Sequence, residues 1–307
     1  MTNPLIALAP NYTDRSFQKA PVLLNHRLQE SPLFSDEGLA ALLEQHPDGL
    51  TDLNIYKFQP DGHATILTGS RADFTGEQIL EAVRRGELWI NLRHLNECNP
   101  AAAALMAELR ETLAGLHPRF KASQLDANLL ISAPNAKVPY HADQPDVMLC
   151  HIRGAKRIWI YPNDGKHLPD EHFEKVVLKE TSEDIPYNRA WDANATVFDL
   201  QPGQAVAWPT NAPHRVENLG TMNVSLSIEY MTWGARRRLG AYYLNGTQRR
   251  LGLRPQQMAT IGPAGLAARW ALSVPLKRLG LHKGKQKVFE TEFELSKDTE
   301  EGVRRRG

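Results

Sequence analysis

From residue 124 onward the chain is written as short apolar segments separated by Gly, Pro, Asn and Asp, the pattern of strands joined by tight turns. The clearest predicted strands lie over 127–132, 147–152, 157–161, 196–200, 204–208 and 223–230. Many short strands in succession read as a β-sandwich or jelly roll, and Gln201-Pro202-Gly203-Gln204 marks a tight turn into one of them. The first third is different. Residues 1–34 are interrupted by proline and weakly periodic, which predicts an extended arm lying over the domain. Ser35 with Asp36 and Glu37 starts a helix that stops near Pro47-Asp48-Gly49. Leu53–Phe58 and Ala64–Leu67 flank a Pro60-Asp61-Gly62 turn and predict a hairpin, and Leu88–Leu92 predicts a further strand. Thr75-Gly76-Glu77-Gln78 opens a second helix, and Asn99-Pro100 opens a third that runs to about Leu116. Helices early and strands late predict an α+β chain around a double-stranded β-helix.

Within the strand-rich part, Pro139-Tyr140-His141-Ala142-Asp143 places an imidazole and a carboxylate two residues apart in an extended segment, so both point the same way. A third metal ligand is available in His214, where Trp208-Pro209-Thr210-Asn211-Ala212-Pro213 leads into an apolar strand. Two His and one carboxylate with open positions form the facial triad of non-haem Fe(II) oxygenases. His141, Asp143 and His214 are therefore the candidate catalytic and metal residues.

The 307 residues suffice for one large catalytic domain with appendages. With 36 Lys and Arg against 35 Asp and Glu, no global charge demands a nucleic acid or membrane partner. Only Cys98 and Cys150 occur, which excludes a disulfide scaffold and favours a reducing compartment. The N-terminus lacks the basic region and long apolar core of a signal peptide. No apolar run reaches the roughly 18 to 20 residues that span a bilayer. A soluble, cytoplasmic protein is expected.

The run from His141 through Gly154-Ala155-Lys156-Arg157 to Pro162, then Gln201-Pro202-Gly203 and Trp208-Pro209 to Pro213-His214-Arg215-Val216-Glu217-Asn218, resembles the JmjC or cupin-like branch of the 2-oxoglutarate and Fe(II)-dependent oxygenases. The match covers about 124–231. The resemblance implies a cupin or jelly-roll core, with iron held by His141, Asp143 and His214. It also implies that the Lys156 ammonium pairs with the distal carboxylate of 2-oxoglutarate, in keeping with the need of a buried dianion for a positive partner. The family often has a hydroxyl residue three positions before the first His, but Val138 stands there; Tyr140, Ser132 and Ser227 are the candidates to replace it. The implied chemistry uses Fe(II), 2-oxoglutarate and O2, releases succinate and CO2, and hydroxylates or oxidatively demethylates a small molecule, peptide or protein. Two alternatives stay open: a non-catalytic cupin-like metal-binding or regulatory protein, and a cupin isomerase or dioxygenase that uses no 2-oxoglutarate.

Other residues have plainer roles. His151, on an apolar strand, reads as a satisfied core histidine, and His167 and His172 read as exposed loop residues. Trp159, Trp191, Trp208 and Trp233 read as core aromatics before cleft walls. Cys150 is expected to be a small buried hydrophobe, and Asp146 either a support for the metal ligands or a turn carboxylate. The expected organisation is an N-terminal arm with a helical and β region packing on the barrel over 1–123, the double-stranded β-helix over 124–233, and a basic helical appendage over 234–307. From Gly234 to Lys287 there is no Asp or Glu, and Pro255, Pro263 and Pro275 divide two or three short helices. That segment is expected either to pack on the barrel or a second subunit as a homodimer, or to meet an anionic membrane, RNA or phosphate.

Overall fold

In the computed structural model residues 4–9, 18–58, 64–86, 88–116, 125–181, 185–279, 291–296, 299 and 303–305 are described. The N-terminal part comprises β1 (Ile6–Leu8), β2 (Val22–His26), α1 (Asp36–Gln45), β3 (Thr51–Phe58), β4 (Ala64–Ser70), α2 (Gly76–Arg85), β5 (Leu88–Leu92), the single-turn α3 (Leu95–Cys98) and α4 (Pro100–Leu116). Local chemistry sets the boundaries. The Ser35 hydroxyl caps α1 by accepting from Gly38 N, and Thr75 with Gln78 forms a reciprocal capping box on α2. The Pro60-Asp61-Gly62 turn falls outside the described residues, but β3 and β4 pair antiparallel as a hairpin requires.

The strand-rich part supplies β6 (Leu125–Ser132), β7 (Lys137–His141), β8 (Asp146–Arg153), β9 (Lys156–Ile160), the short helix α5 (Asp170–Val177), β10 (Thr196–Leu200), β11 (Gln204–Ala207), β12 (His214–Asn218) and β13 (Asn223–Tyr230). Eight of these strands fold as two facing four-stranded layers. One is β11-β8-β13-β6 and the other β10-β9-β12-β7. Successive strands alternate between the layers, except for the β9–β10 hairpin within the second, which is the double-stranded β-helix expected from the sequence. The first layer does not end there. β2 pairs with β11 at one edge, β5 pairs with β6 at the other, and the sheet continues through β3 to β4.

This corrects the expected arm over the domain. Backbone groups of β1 and β2 are satisfied by extending the sheet, and that covers an otherwise open barrel edge. Strand alternation then assigns two environments to one sheet. Leu53, Ile55, Leu88, Ile90, Val224 and Leu226 face the core shared with α1, α2 and α4. The intervening residues face the barrel side.

Helix α2 rests against α1 at a backbone contact. A Cβ on Gly76 would lie 1.8 Å from the Ala40 carbonyl oxygen. Gly76→Ala is expected to cost about 2–3 kcal/mol by forcing the helices apart. Urea unfolding reads this as a lower midpoint at unchanged slope, and a midpoint equal to wild type would contradict the packing.

Beyond the barrel lie α6 (Trp233–Arg250) and α7 (Pro263–Arg278), with β14 (Phe293–Leu295) and β15 (Val303–Arg305) added beside β4. The predicted short helices are longer than expected. Pro263 occupies the first turn of α7, where no N–H is needed, and Pro275 sits exposed near its end without stopping it. Tyr242 and Tyr243 of α6 are buried with Tyr140, Tyr161 and Phe173, so this helix covers the outer face of the second layer. Part of the basic charge is answered within the chain: Arg249 donates to the buried Glu174 at 2.7 and 3.2 Å, and Arg250 pairs with Glu180. Lys283, Lys285 and Lys287 lie outside the described residues. No helix among the described residues is long and apolar enough to cross a membrane.

Candidate metal centre

The register of β7 against β12 sets His141 opposite His214, with ring centroids 4.1 Å apart. His141 is the last residue of β7, and Asp143 lies just past the strand, in the loop, not on it as the spacing predicted. It still reaches both rings. Asp143 Oδ1 is 3.7 Å from His141 Nε2, and Oδ2 is 3.4 Å from His214 Nε2. One ligand atom from each of the three residues falls within 4.8 Å of the others.

Each ring is held by its other nitrogen. Nδ1 of His141 donates to the Pro139 carbonyl at 2.8 Å, and Nδ1 of His214 donates to the Ala212 carbonyl at 3.1 Å. With the proton fixed on Nδ1, the Nε2 lone pairs converge on Asp143, the arrangement that orients metal-bound imidazoles. Burial pushes the His214 imidazolium pKa down to about 4, reinforced by His141, so the ring is neutral and able to ligate at pH 7. Asn211, in the left-handed region at φ 59°, donates to the carbonyls of Asp143 and Gln144 at 2.8 and 3.2 Å. It locks the two ligand-bearing loops together. Trp208 packs its ring 4.5 Å from His214. The donor set suits a divalent first-row metal with open positions.

The three ligands open into a cavity of about 470 Å³ that also exposes Lys156. Lys156 is only 4% exposed, and among the described residues no carboxylate lies within ion-pair distance of it. Desolvation pushes its pKa down to about 8. Its ammonium donates to Ser225 Oγ at 2.9 Å, and Ser225 Oγ lies 3.1 Å from Nδ1 of His151. An ammonium only donates, so the Ser225 hydroxyl accepts from it, and the direction of the Ser225–His151 hydrogen bond follows the His151 tautomer. His151 is fully buried and held neutral, its pKa lowered to about 3 by desolvation and then by Lys156.

Of the three hydroxyls proposed to stand beside Lys156, only Ser227 lines the cavity. Tyr140 is adjacent to His141 on β7 and therefore points to the opposite face, where its hydroxyl donates to the His167 carbonyl at 2.7 Å. Ser132 lies at the end of β6 and accepts from Asn218 Nδ2 at 2.9 Å. The group that contacts the ammonium is Ser225, on the same face of β13 as Ser227 and two residues earlier.

His172 is exposed as expected, but His167 is 3% exposed, pinned by Asp164 at 2.7 Å and packed edge-on to Trp191. Cys150 is buried in the core, as expected. Asp146 is buried and serves as a strap: it accepts from the hydroxyls of Thr210 and Thr232, tying the loop before His214 to the start of α6. Trp159 stacks under Arg215 at 3.5 Å, on the outside of the barrel, and Trp233 is exposed on α6.

No curated protein sequence matches the chain. Among solved structures, the X-ray structure of E. coli ycfD aligns over 92% of this chain and 70% of that one, at 19% identity and a TM-score of 0.51, which shows a shared fold. A structure of YcfD, a ribosomal oxygenase from Escherichia coli, in complex with cobalt and 2-oxoglutarate aligns over 90% and 69% of the two chains, at 19% identity and a TM-score of 0.48. The sequence model of the cupin-like domain matches residues 76–232, more than half of the 307, and the β-helix with its converging ligands lies within that span. The chain belongs to the cupin-like domain family.

Proposed function

We propose that this protein is an Fe(II) and 2-oxoglutarate-dependent oxygenase that hydroxylates its substrate, or demethylates it through hydroxylation of an N-methyl group. One observation carries this reading: a buried lysine, with no carboxylate partner among the described residues, shares a single cavity with a two-His, one-Asp ligand set. A cupin that only bound a metal, or isomerised a neutral ligand, would gain nothing from a desolvated ammonium that costs folding energy. YcfD has been crystallised with cobalt and 2-oxoglutarate; the reading for this chain rests on its own side chains.

His141, Asp143 and His214 would hold the iron, leaving positions for the keto acid and O2. When bound, the metal and keto acid supply the oxidising power that places one oxygen atom of O2 on the substrate and leaves succinate and CO2. Lys156 would take the far carboxylate of the keto acid, with Ser225 beside it. The Ser225–His151 hydrogen bond holds the Ser225 oxygen in place beside the ammonium. Val147, Leu149, Trp208 and Val216 give the cavity an apolar wall that excludes water from the reacting centre.

Fe(II)-dependent release of succinate from 2-oxoglutarate, lost in His141→Ala, is the expected result. Succinate no higher than in metal-free protein would overturn the reading. Affinity for 2-oxoglutarate should also depend on pH in a way set by Lys156. Below about pH 8 the ammonium is already charged and affinity is flat. Above it binding must take up a proton, so affinity falls by about tenfold per pH unit. A flat profile through pH 9.5 would remove Lys156 from the site.

A further inference from the structure

A third residue meets Lys156 and Ser225 at their end of the barrel. Val147 and Leu149 of β8 line the cavity, so His151, two residues further along the strand, points to the same side. The β8–β13 register sets it opposite Ser225. His151 and Ser225 are fully buried and Lys156 is nearly so. The sequence reads His151 as a satisfied core histidine, but only one of its nitrogens is satisfied.

The neutral ring carries one proton, on Nδ1 or on Nε2. Nδ1 lies 3.1 Å from Ser225 Oγ, while Nε2 is buried with no hydrogen-bond partner among the described residues. The Gly154 backbone is near enough to favour a charged ring but outside hydrogen-bond geometry of Nε2. His26, whose charge also acts on the ring, has no group to spare: its Nδ1 accepts from Leu28 N at 3.2 Å, and its Nε2 donates to the Gln204 carbonyl at 3.1 Å.

Each position of the proton leaves one donor over. With the proton on Nε2, Ser225 gives its own proton to Nδ1, and the donor left over is an N–H sealed inside the protein, which folded chains avoid. With the proton on Nδ1, the two lone pairs of Ser225 Oγ are taken by His151 and by the Lys156 ammonium at 2.9 Å, and the donor left over is the serine O–H. That donor stands beside the cavity-lining Lys156, where an anion can meet it. Only the second arrangement can be completed, and an acceptor seated on the ammonium completes it.

We infer that His151 is a positioning residue for the keto acid: its Nδ1–H donates to Ser225 and so reserves the serine proton for the carboxylate that Lys156 binds. This rests on the oxygenase reading. The distal carboxylate then receives two donors, one of them charged, and His151 touches neither the keto acid nor the metal.

The test follows binding, not turnover. Anaerobic Fe(II) protein is titrated with 2-oxoglutarate, and with 2-oxopentanoate, which lacks the distal carboxylate, by the visible band of the chelate. His151→Leu is expected to weaken 2-oxoglutarate by about tenfold and leave 2-oxopentanoate unchanged. His151→Asn, which can put an amide N–H where Nδ1 stood, should stay within about threefold of wild type. Ser225→Ala should weaken 2-oxoglutarate by about tenfold, and adding His151→Leu to it should change nothing further, because the two residues act through one hydrogen bond. Nitrogen NMR of histidine-labelled protein holding Zn(II) and 2-oxoglutarate, with the ring assigned from His151→Asn, should place the proton on Nδ1. A proton on Nε2, a His151→Leu protein that binds 2-oxoglutarate as wild type does or loses both keto acids equally, or losses that add in the double variant would overturn the inference. Any of these with an intact wild-type band sinks this inference alone. A wild type that gives no band with either keto acid sinks the oxygenase reading itself.

Discussion

Replacing His214 by alanine is expected to abolish turnover and weaken metal binding by more than about a hundredfold, while the protein stays folded. The ring is 4% exposed, its Nδ1 is spent on the Ala212 carbonyl, and Nε2 points only at the other two ligands. Two ligands that remain, one of them on a loop, make a poor chelate. The fold should tolerate the change, because the alanine also removes a buried imidazole whose charged form is strongly disfavoured. A thermal shift separates the two effects. Metal at a hundred times its dissociation constant stabilises a folded protein by about 2.7 kcal/mol, so wild type should melt higher with Fe(II) or Co(II) under anaerobic conditions. His214→Ala should melt at the same temperature with and without metal. A variant that keeps the metal-dependent shift would place the site elsewhere.

Lys156→Met should act in two directions at once. It removes the cation that faces the keto acid, so the KM for 2-oxoglutarate should rise by about a hundredfold or more. It also removes a desolvated ammonium from the barrel interior, so the protein without cosubstrate should become more stable. Folding lowers the Lys156 pKa from 10.5 to about 8, a penalty on the order of 3 kcal/mol, from which loss of the Ser225 hydrogen bond subtracts about 1 kcal/mol. The sign with pH follows. Between about pH 8 and 10.5 the unfolded chain keeps this proton and the folded one does not, so the penalty is full below 8, shrinks as pH rises and is gone above 10.5. Wild type should close part of its stability gap to Lys156→Met over that range. A methionine variant less stable than wild type at pH 7, with unchanged KM, would mean that Lys156 is a structural residue.

The sequence disclosed the parts of the site that obey short-range rules. His141 and Asp143 are neighbours in the chain, and the Pro-flanked segment before His214 marks a loop feeding a strand. Their meeting needed only the β7–β12 pairing that a double-stranded β-helix provides. Ser225 was missed because its contact with Lys156 crosses 69 residues and depends on the register of β13 against β8, which pairs Ser225 with His151. Asn211 was missed for a similar reason: nothing local says that its amide bridges back to Asp143. Tyr140 was legible and misread, since a residue next to His141 on a strand has to face the other way. His167 looked like a polar loop residue, but Asp164 and Trp191 draw it under cover. The alternation of Asp52, Asn54 and Tyr56 along β3 is plain in the sequence. That this polar face would become cavity floor is not, because it depends on β5 joining β6 edge to edge.

The central claim is that one cavity holds iron through His141, Asp143 and His214 and the keto acid through Lys156. Anaerobic titration of the protein with Fe(II) and then 2-oxoglutarate tests it most directly, by the visible charge-transfer band of the chelate. The band should appear only when both are present, vanish in His214→Ala, and require far more 2-oxoglutarate in Lys156→Met. Iron bound without a band at saturating 2-oxoglutarate would contradict the account and leave a cupin that uses its metal for something else.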